Sequence, residues 1–298
     1  LLYEGLFALD SHFQPQPVLC REFTMSEDAC VWSFTLRAQA AFSDGSPLSA
    51  QTAAACLNQA RTSPLYAGRL SDVSTVRAEG ERVVITLRAP NGNLPALLDV
   101  PICLGEGQRP LGTGPYRLSE EGDGLFLQAR SDWWQGGTPP RDKIPLHPLR
   151  TADEMIQAFD TRLASLVSTD LTASNALGFS GSFETTDYPT SVMLFLGFNL
   201  RQGPCQDAVV RQALQRAADR EAIVAGALSR HAQSAALPAA PGSPLYHEDL
   251  ARELSFDLSA AAAVLEGGGW RTGEDGVLER GRERLELKLV ISSGSAAR

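Results

Sequence analysis

The sequence predicts a mixed α/β protein of two domains, with antiparallel and mixed sheets. Its 298 residues are enough for two domains, because single hydrophobic cores stop growing near this length. Short segments that alternate apolar and polar residues, as half-buried strands do, recur before residue 130. After Asp207 the pattern changes to alanine-rich helical segments.

Three predicted strands precede residue 90. Residues 19–25 and 31–37 alternate on either side of a polar turn at 26–28, which is the pattern of a hairpin. Trp32 and Phe34 fall on the same face, so we expect them to pack in a core. Residues 82–88 alternate in the same way and predict a third strand.

Side chains suited to N-caps precede most of the predicted helices, because their oxygens can accept the free backbone N–H groups of the first turn. These residues are Ser49, Asp207, Asp219 and Asp257. Residues 152–163 also show helical spacing. The glycines at 267–269 end the last predicted helix.

Later apolar runs predict further strands. Residues 116–118 and 125–128 would begin a new sheet. Residues 164–167 are predicted to form a buried strand, and residues 192–199 and 285–291 two further apolar strands.

Composition changes divide the chain into three regions. A Gly/Pro-punctuated connection ends near Gly112, and a second crossing is expected between Phe198 and Asp207. We therefore expect regions at 1–111, 112–200 and 201–298.

Charge argues against a nucleic-acid partner, and hydropathy argues against a membrane-spanning segment. A net charge of −9 and a pI near 5.0 argue against nucleic-acid binding, which needs clustered Lys and Arg. No apolar run approaches the ~20 residues that span a bilayer. The chain opens inside a structured segment without an export signal, so a mature fragment is favoured over a cytosolic protein.

The five cysteines lie far apart, without CxxC spacing or a nearby histidine, so they predict no metal site. A disulfide between Cys20 and Cys30 is disfavoured, because the hairpin would place Cys20 opposite a residue near Thr35. We expect all five thiols to be free, and the sequence leaves the redox compartment open.

Catalytic patterns are not found in the sequence. The four histidines are scattered, and none lies in HExxH or beside a nucleophile motif. The glycine cluster at 112–114 does not join a strand to a helix, and Pro115 removes a donor that a phosphate cradle would need. The sequence predicts a non-enzymatic protein without cofactors.

Six segments occur in a fixed order along nearly the whole chain. They are residues 2–6 (LYEGL), 32–37 (WSFTLR), 42–50 (FSDGSPLSA), 112–116 (GTGPY), 207–214 (DAVVRQAL) with 218–220 (ADR), and 257–270. Together these segments resemble the family 5 extracellular solute-binding proteins, the peptide- and nickel-binding group. One departure is Ala29, where the family usually has a turn glycine.

The resemblance implies a two-lobed, class II periplasmic-binding-protein-like fold that captures a peptide or related small solute by hinge closure. It implies ABC permease subunits as partners, a monomer, and an extracellular or periplasmic location with a lipid anchor. Family members usually begin earlier and end later, so we expect a chain truncated at both ends, with an incomplete second lobe.

Two alternatives remain open. The first is a cytosolic ligand-sensing domain of a transcriptional regulator built on the same fold. The second is an enzyme on this scaffold, for which no catalytic set is visible.

The resemblance also implies ligand contacts at three places. They are Ser168, Thr169 and Asp170 after the predicted 164–167 strand, Phe195 on the predicted 192–199 strand, and Tyr66 in a loop. Each has a structural alternative: a surface loop with Asp170 as a helix cap, a core phenylalanine, and a packed tyrosine.

Overall fold

The computed structural model describes residues 1–105, 109–122, 124–168, 182–188, 190 and 192–291. Contacts divide the chain into two units, Leu1–Pro148 and Leu149–Arg298. The boundaries predicted near Gly112 and residue 200 lie inside these units and stay predictions.

Strands dominate the first unit. They are β1 (Phe7–Leu9), β2 (Pro15–Pro17), β3 (Cys20–Met25), β4 (Val31–Leu36), β5 (Val73–Glu79), β6 (Arg82–Leu87), β7 (Cys103–Leu104), β8 (Leu111–Gly112), β9 (Tyr116–Glu121), β10 (Gly124–Ala129) and β11 (Lys143–Leu146). One α-helix, α1 (Ala50–Ala60), and a 3₁₀ turn (Leu94–Leu97) join them. The three strands predicted before residue 90 are confirmed.

A four-stranded antiparallel sheet in the order β3-β4-β6-β5 carries the core of this unit. Trp32 and Phe34 of β4 are buried, and their rings stack with centroids 5.9 Å apart. Helix α1 begins at Ser49, whose hydroxyl accepts from the backbone N–H of Thr52. It contacts β5 and β6 and buries Leu57 in the same core. The predicted hairpin and cap are therefore confirmed.

The predicted hairpin register keeps the first two cysteines apart. Cys20 pairs with Leu36 across the β3–β4 ladder, while Cys30 lies beyond the other end of that ladder, next to the turn. All five cysteine thiols of the chain are free, as expected.

The glycine motif at 112–116 lies against the first residues of the chain. The backbone N–H of Gly114 donates to the carbonyl of Leu2 at 3.0 Å. A Cβ atom at Gly112 would overlap that same carbonyl oxygen, and one at Gly114 would overlap the carbonyl of Leu1. These glycines therefore permit a close backbone approach.

A buried guanidinium joins this motif to the turn at 42–46. The side chain of Arg130 is 1% exposed and donates to the carbonyl oxygens of Gly114 at 3.1 Å and Phe42 at 3.0 Å. It also reaches the exposed carboxylate of Asp132 at 3.3 Å. Arg130 thus holds two of the six sequence segments together.

Helices dominate the described part of the second unit. They are α2 (Ala152–Asp160), α3 (Ala208–Ala217), α4 (Arg220–Ala227), α5 (Glu248–Glu253) and α6 (Leu258–Gly267), with a 3₁₀ turn (Pro204–Gln206) and the short strands β12 (Arg271–Thr272), β13 (Leu278–Arg280) and β14 (Glu283–Arg284). The predicted caps Asp207, Asp219 and Asp257 each accept a backbone N–H at the start of a helix. Among the described residues, no helix is both long and apolar enough to cross a membrane.

Three predicted strands are wrong. Residues 164–167, 192–199 and 285–291 form no strand, and most of their large apolar side chains are exposed, such as Leu166 at 87%, Phe195 at 76% and Val290 at 81%. The apolar runs have strand composition, but a strand also needs a neighbour for its backbone N–H and C=O groups. Within the described ranges, none of the strands pairs with these segments.

A charged cluster fixes α3 at its N-terminus. The Asp207 carboxylate accepts from the backbone N–H of Val209 at 2.9 Å and from the Arg280 guanidinium at 2.5 Å. That guanidinium also lies 4.6 Å from the ring centroid of buried Trp270. The Val209 N–H, followed by Arg280, holds the pKa of Asp207 below its ordinary value of 3.8.

This lowered pKa predicts a pH-dependent contribution of Asp207 to stability. The carboxylate stabilises the folded chain above pH 3.8, its unfolded value, and loses this effect as pH falls through the lower folded pKa. We expect Asp207→Asn, which still caps the helix, to lose less stability than wild type between pH 5 and pH 3. Urea denaturation at both pH values measures the difference, and equal losses in the two proteins would contradict it.

Candidate functional site

The predicted site residues lie in both units. Tyr66 belongs to the first unit, whereas Ser168 and Phe195 belong to the second. Thr169 and Asp170 lie outside the described residues.

Tyr66 is held in a turn of the first unit. Its backbone N–H donates to the carbonyl of Ser63 at 3.1 Å, and its half-buried ring packs against the core. The Arg69 guanidinium lies 5.7 Å from the ring centroid and is ion-paired with Asp99. These contacts favour the packing alternative for Tyr66, and its contact with a ligand stays a prediction.

Ser168 takes part in a polar cluster of the second unit. Its hydroxyl lies 3.0 Å from the Tyr188 hydroxyl, and both side chains are exposed. The neighbouring Asp187 carboxylate lies 2.8 Å from Nδ1 of His231. Sequence reasoning missed Tyr188, Asp187 and His231. The two residues of each contact are 20 and 44 positions apart in the sequence, respectively. The available signal was Tyr188, an aromatic residue in the largely polar stretch 184–190.

Phe195 lies in an exposed apolar segment. Its side chain is 76% exposed, and the neighbouring Val192, Met193, Leu194 and Leu196 are each more than 40% exposed. The core-phenylalanine alternative is therefore wrong. A run of this kind offers apolar contact area of the sort that marks interaction or ligand-binding surfaces.

The polar cluster suits solute recognition better than bond-making chemistry. Its two hydroxyls, one carboxylate and one imidazole can donate and accept hydrogen bonds, and exposed aromatics complement such groups in small-molecule sites. The Ser168 hydroxyl forms a hydrogen bond with the phenol of Tyr188, whereas a nucleophilic serine needs an adjacent base. In the part of the chain that the structure describes, no group of three or more His, Cys, Asp or Glu side chains can hold a metal ion.

Two shallow clefts in the first unit lie away from the predicted residues. One of about 220 Å³ is lined by residues such as Arg109, Tyr116 and Glu120. The other, of about 350 Å³, includes Trp133 and Ile144. Both volumes lie below the middle of the ~300–1,000 Å³ range that is typical of ligand pockets.

Comparison with known proteins identifies relatives along almost the whole chain. Residues 14–298 match the family described as bacterial extracellular solute-binding proteins, family 5 Middle. The glutathione-binding protein GsiB of Salmonella paratyphi A is 26% identical over 292 residues, which cover 91% of this chain and 56% of GsiB. The chain thus spans a little over half the length of that relative.

Solved structures show the same fold at low sequence identity. NikZ from Campylobacter jejuni, in complex with Ni(L-His), aligns with a TM-score of 0.62 at 20% identity, covering 96% of this chain and 61% of NikZ. The oligopeptide-binding protein AppA from Bacillus subtilis, in complex with a nonapeptide, aligns with a TM-score of 0.56 at 20% identity, covering 95% and 61%.

These structural neighbours are two-lobed periplasmic binding proteins, and the chain shares their mixed α/β architecture with several small sheets. The predicted fold class is therefore confirmed. The match over residues 14–298, which includes five of the six segments, also confirms the family resemblance. The chain belongs to the bacterial extracellular solute-binding proteins of family 5.

Proposed function

We propose that this chain is part of the solute-binding component of an ABC importer. The observation that carries the proposal is the family match, which covers residues 14–298. The protein would capture its solute between two lobes by hinge closure and deliver it to the membrane permease subunits. We place it outside the cytoplasm as a monomer attached by a lipid anchor.

The solute is proposed to be a peptide or a related compound with amino-acid groups. The relatives are named for, or were solved with, glutathione, a nonapeptide and a nickel–histidine complex. All three of these solutes carry amine or carboxylate groups of amino acids. A site for them needs charged and hydroxyl partners together with apolar surface.

Exposed side chains of the second unit have this chemistry. Ser168 and Tyr188 offer exposed hydroxyls, and Phe195 offers an exposed ring. Asp170 lies two residues after Ser168 in the sequence and carries a carboxylate. We assign this carboxylate the role of accepting a charge-assisted hydrogen bond from a solute amine. Capture of this kind uses noncovalent binding alone and forms no covalent bond with the solute.

Asp170→Asn tests this assignment in the intact protein. Because asparagine caps a helix about as well as aspartate, the substitution removes the charge and keeps any structural role. We expect affinity for amine-bearing peptides to fall about tenfold or more, in line with ~1.5–3 kcal/mol for a hydrogen bond to a charged group. Isothermal titration calorimetry with glutathione and with mixed di- to pentapeptides measures this change.

The exposed Asp249 of α5, whose side chain is 92% exposed, supplies the matched control. Asp249→Asn should leave affinity unchanged, and both variants should keep the wild-type melting temperature within about two degrees. Unchanged affinity in Asp170→Asn would refute the site assignment. Failure of the wild-type protein to bind any amino-acid-based solute would refute the proposed function itself.

A further inference from the structure

Two of the free cysteines lie in direct contact in the first unit. The Sγ atom of Cys56, on α1, lies 2.8 Å from the carbonyl oxygen of Cys103, on β7. The backbone N–H of Cys103 points to the same sulfur, with N and Sγ 3.4 Å apart. The sulfur of one cysteine therefore touches the backbone of the other, although 47 positions separate them.

The elements that carry the two cysteines are fixed on both sides. Helix α1 is capped by Ser49 and anchored in the core by Leu57. In strand β7, Cys103 pairs with Gly112 of β8, and the preceding Ile102 is fully buried. Helix α1 also contacts β7 directly. The pair is therefore brought together by packing that does not depend on the sulfur atoms.

Burial and the neighbouring sulfur affect the ionisation of the Cys103 thiol. Burial, and then the neighbouring Cys56, raises the pKa of the Cys103 thiol to about 11. Few Cys103 thiols are ionised at neutral pH, so oxidation that begins at this sulfur should be slow and should quicken as pH rises. Both residues are half-buried rather than fully enclosed, which leaves a route for a small oxidant.

We propose that Cys56 and Cys103 are a redox-sensitive pair that closes into a disulfide, linking helix α1 to strand β7. A disulfide requires Cα atoms about 4.4–6.8 Å apart. The Cys56 sulfur already touches the N–H and the carbonyl oxygen of Cys103, so the two side chains start within reach of each other. The bond would fasten the helix of the four-stranded sheet to the strand that leads into the glycine motif. It is independent of the solute that the protein binds.

The oxidant is a small organic disulfide that reacts by thiol–disulfide exchange. The thiolate of one cysteine attacks a sulfur of the oxidant, which forms a mixed disulfide and releases one thiolate. The second cysteine thiolate then attacks the protein sulfur of the mixed disulfide and releases the other half of the oxidant. The protein loses two electrons, the oxidant gains two, and the two thiol protons pass to the released thiolates.

The other three cysteines are placed differently. Buried Cys20 donates to the carbonyl of Glu22, whereas Cys30 lies beside the β3–β4 turn. Cys205 lies in the 3₁₀ turn of the second unit. Disulfides persist in oxidising compartments, so a family described as extracellular provides the setting in which this pair would be oxidised.

The experiment incubates the purified protein with bis(2-hydroxyethyl) disulfide, which avoids the use of glutathione, the solute of a relative. We expect the count of free thiols in denaturant to fall from five to three. Proteolysis without reductant should yield a peptide that joins Cys56 to Cys103. The melting temperature should rise by roughly 5–10 °C, because the bond closes a long loop, and dithiothreitol should reverse the rise.

Matched variants separate this bond from other oxidation. Cys56→Ala and Cys103→Ala should each lose the rise in melting temperature, whereas the double variant Cys30→Ala/Cys205→Ala should keep it. Five remaining thiols, or a linkage between other cysteines, would overturn the proposal. If either single variant fails to fold, peptide mapping of the wild-type protein decides the question, and solute binding is scored separately by calorimetry.

Discussion

Replacing Arg130 with methionine is expected to lower the free energy of unfolding by about 3–4 kcal/mol, because two buried carbonyl groups lose a charged donor. The residue is 3% exposed, and its guanidinium donates to Gly114 and Phe42 within 3.1 Å. A third carbonyl, that of Ala41, lies 3.5 Å away. Methionine fills much of the same volume but offers no N–H group. The Gly114 carbonyl would lose the guanidinium donor, and the Phe42 carbonyl would keep only the backbone N–H of Gly45.

Arg130→Lys and Arg82→Met are the controls for this prediction. Lysine keeps the charge but lacks the planar fork that reaches several carbonyls together, so we expect a loss that is smaller than that of methionine. Arg82 lies exposed at the start of β6, and its replacement should change stability by no more than ~0.5 kcal/mol. Urea denaturation followed by tryptophan fluorescence measures all three variants. A loss below about 1 kcal/mol in Arg130→Met would contradict the assigned role.

Local patterns explain why much of the fold was predictable. The alternation around Trp32 and Phe34 depends on a period of two residues, and the caps Ser49, Asp207 and Asp257 depend on a hydrogen bond within one helical turn. Such signals need only a few neighbouring residues. The structure confirms the N-terminal hairpin and these three helix starts.

Long-range contacts explain what could not be predicted. An apolar run such as 192–199 has strand composition, yet pairing depends on a neighbour that composition does not supply. Two other contacts likewise join residues that are far apart in the sequence. They are the hydrogen bond between Ser168 and Tyr188 and the contact between Cys56 and Cys103. Arg130 has no local pattern that distinguishes it from a surface arginine, so its burial becomes evident only in three dimensions.

Gly112→Ala is expected to lower the free energy of unfolding by about 3 kcal/mol, at the upper end of the usual cost of overpacking. The added Cβ would overlap the carbonyl oxygen of Leu2 and approach Cδ1 of Tyr3 to 2.7 Å. A tyrosine ring can move aside, but a backbone carbonyl can retreat only if the chain shifts. That shift would disturb the bond from the Gly114 N–H to the same Leu2 carbonyl.

Gly68→Ala separates this steric effect from a general glycine effect. A Cβ at Gly68 would meet no atom within 4 Å, and neither Gly68 nor Gly112 has a φ in the left-handed region. Gly68→Ala should therefore be neutral or slightly stabilising, since alanine reduces the freedom of the unfolded chain. If the carbonyl contact decides the cost, Gly112→Ala should stay destabilised when Tyr3 is also replaced by leucine. Recovery of wild-type stability in that double variant would show that the ring, rather than the backbone of Leu2, makes glycine necessary at this position.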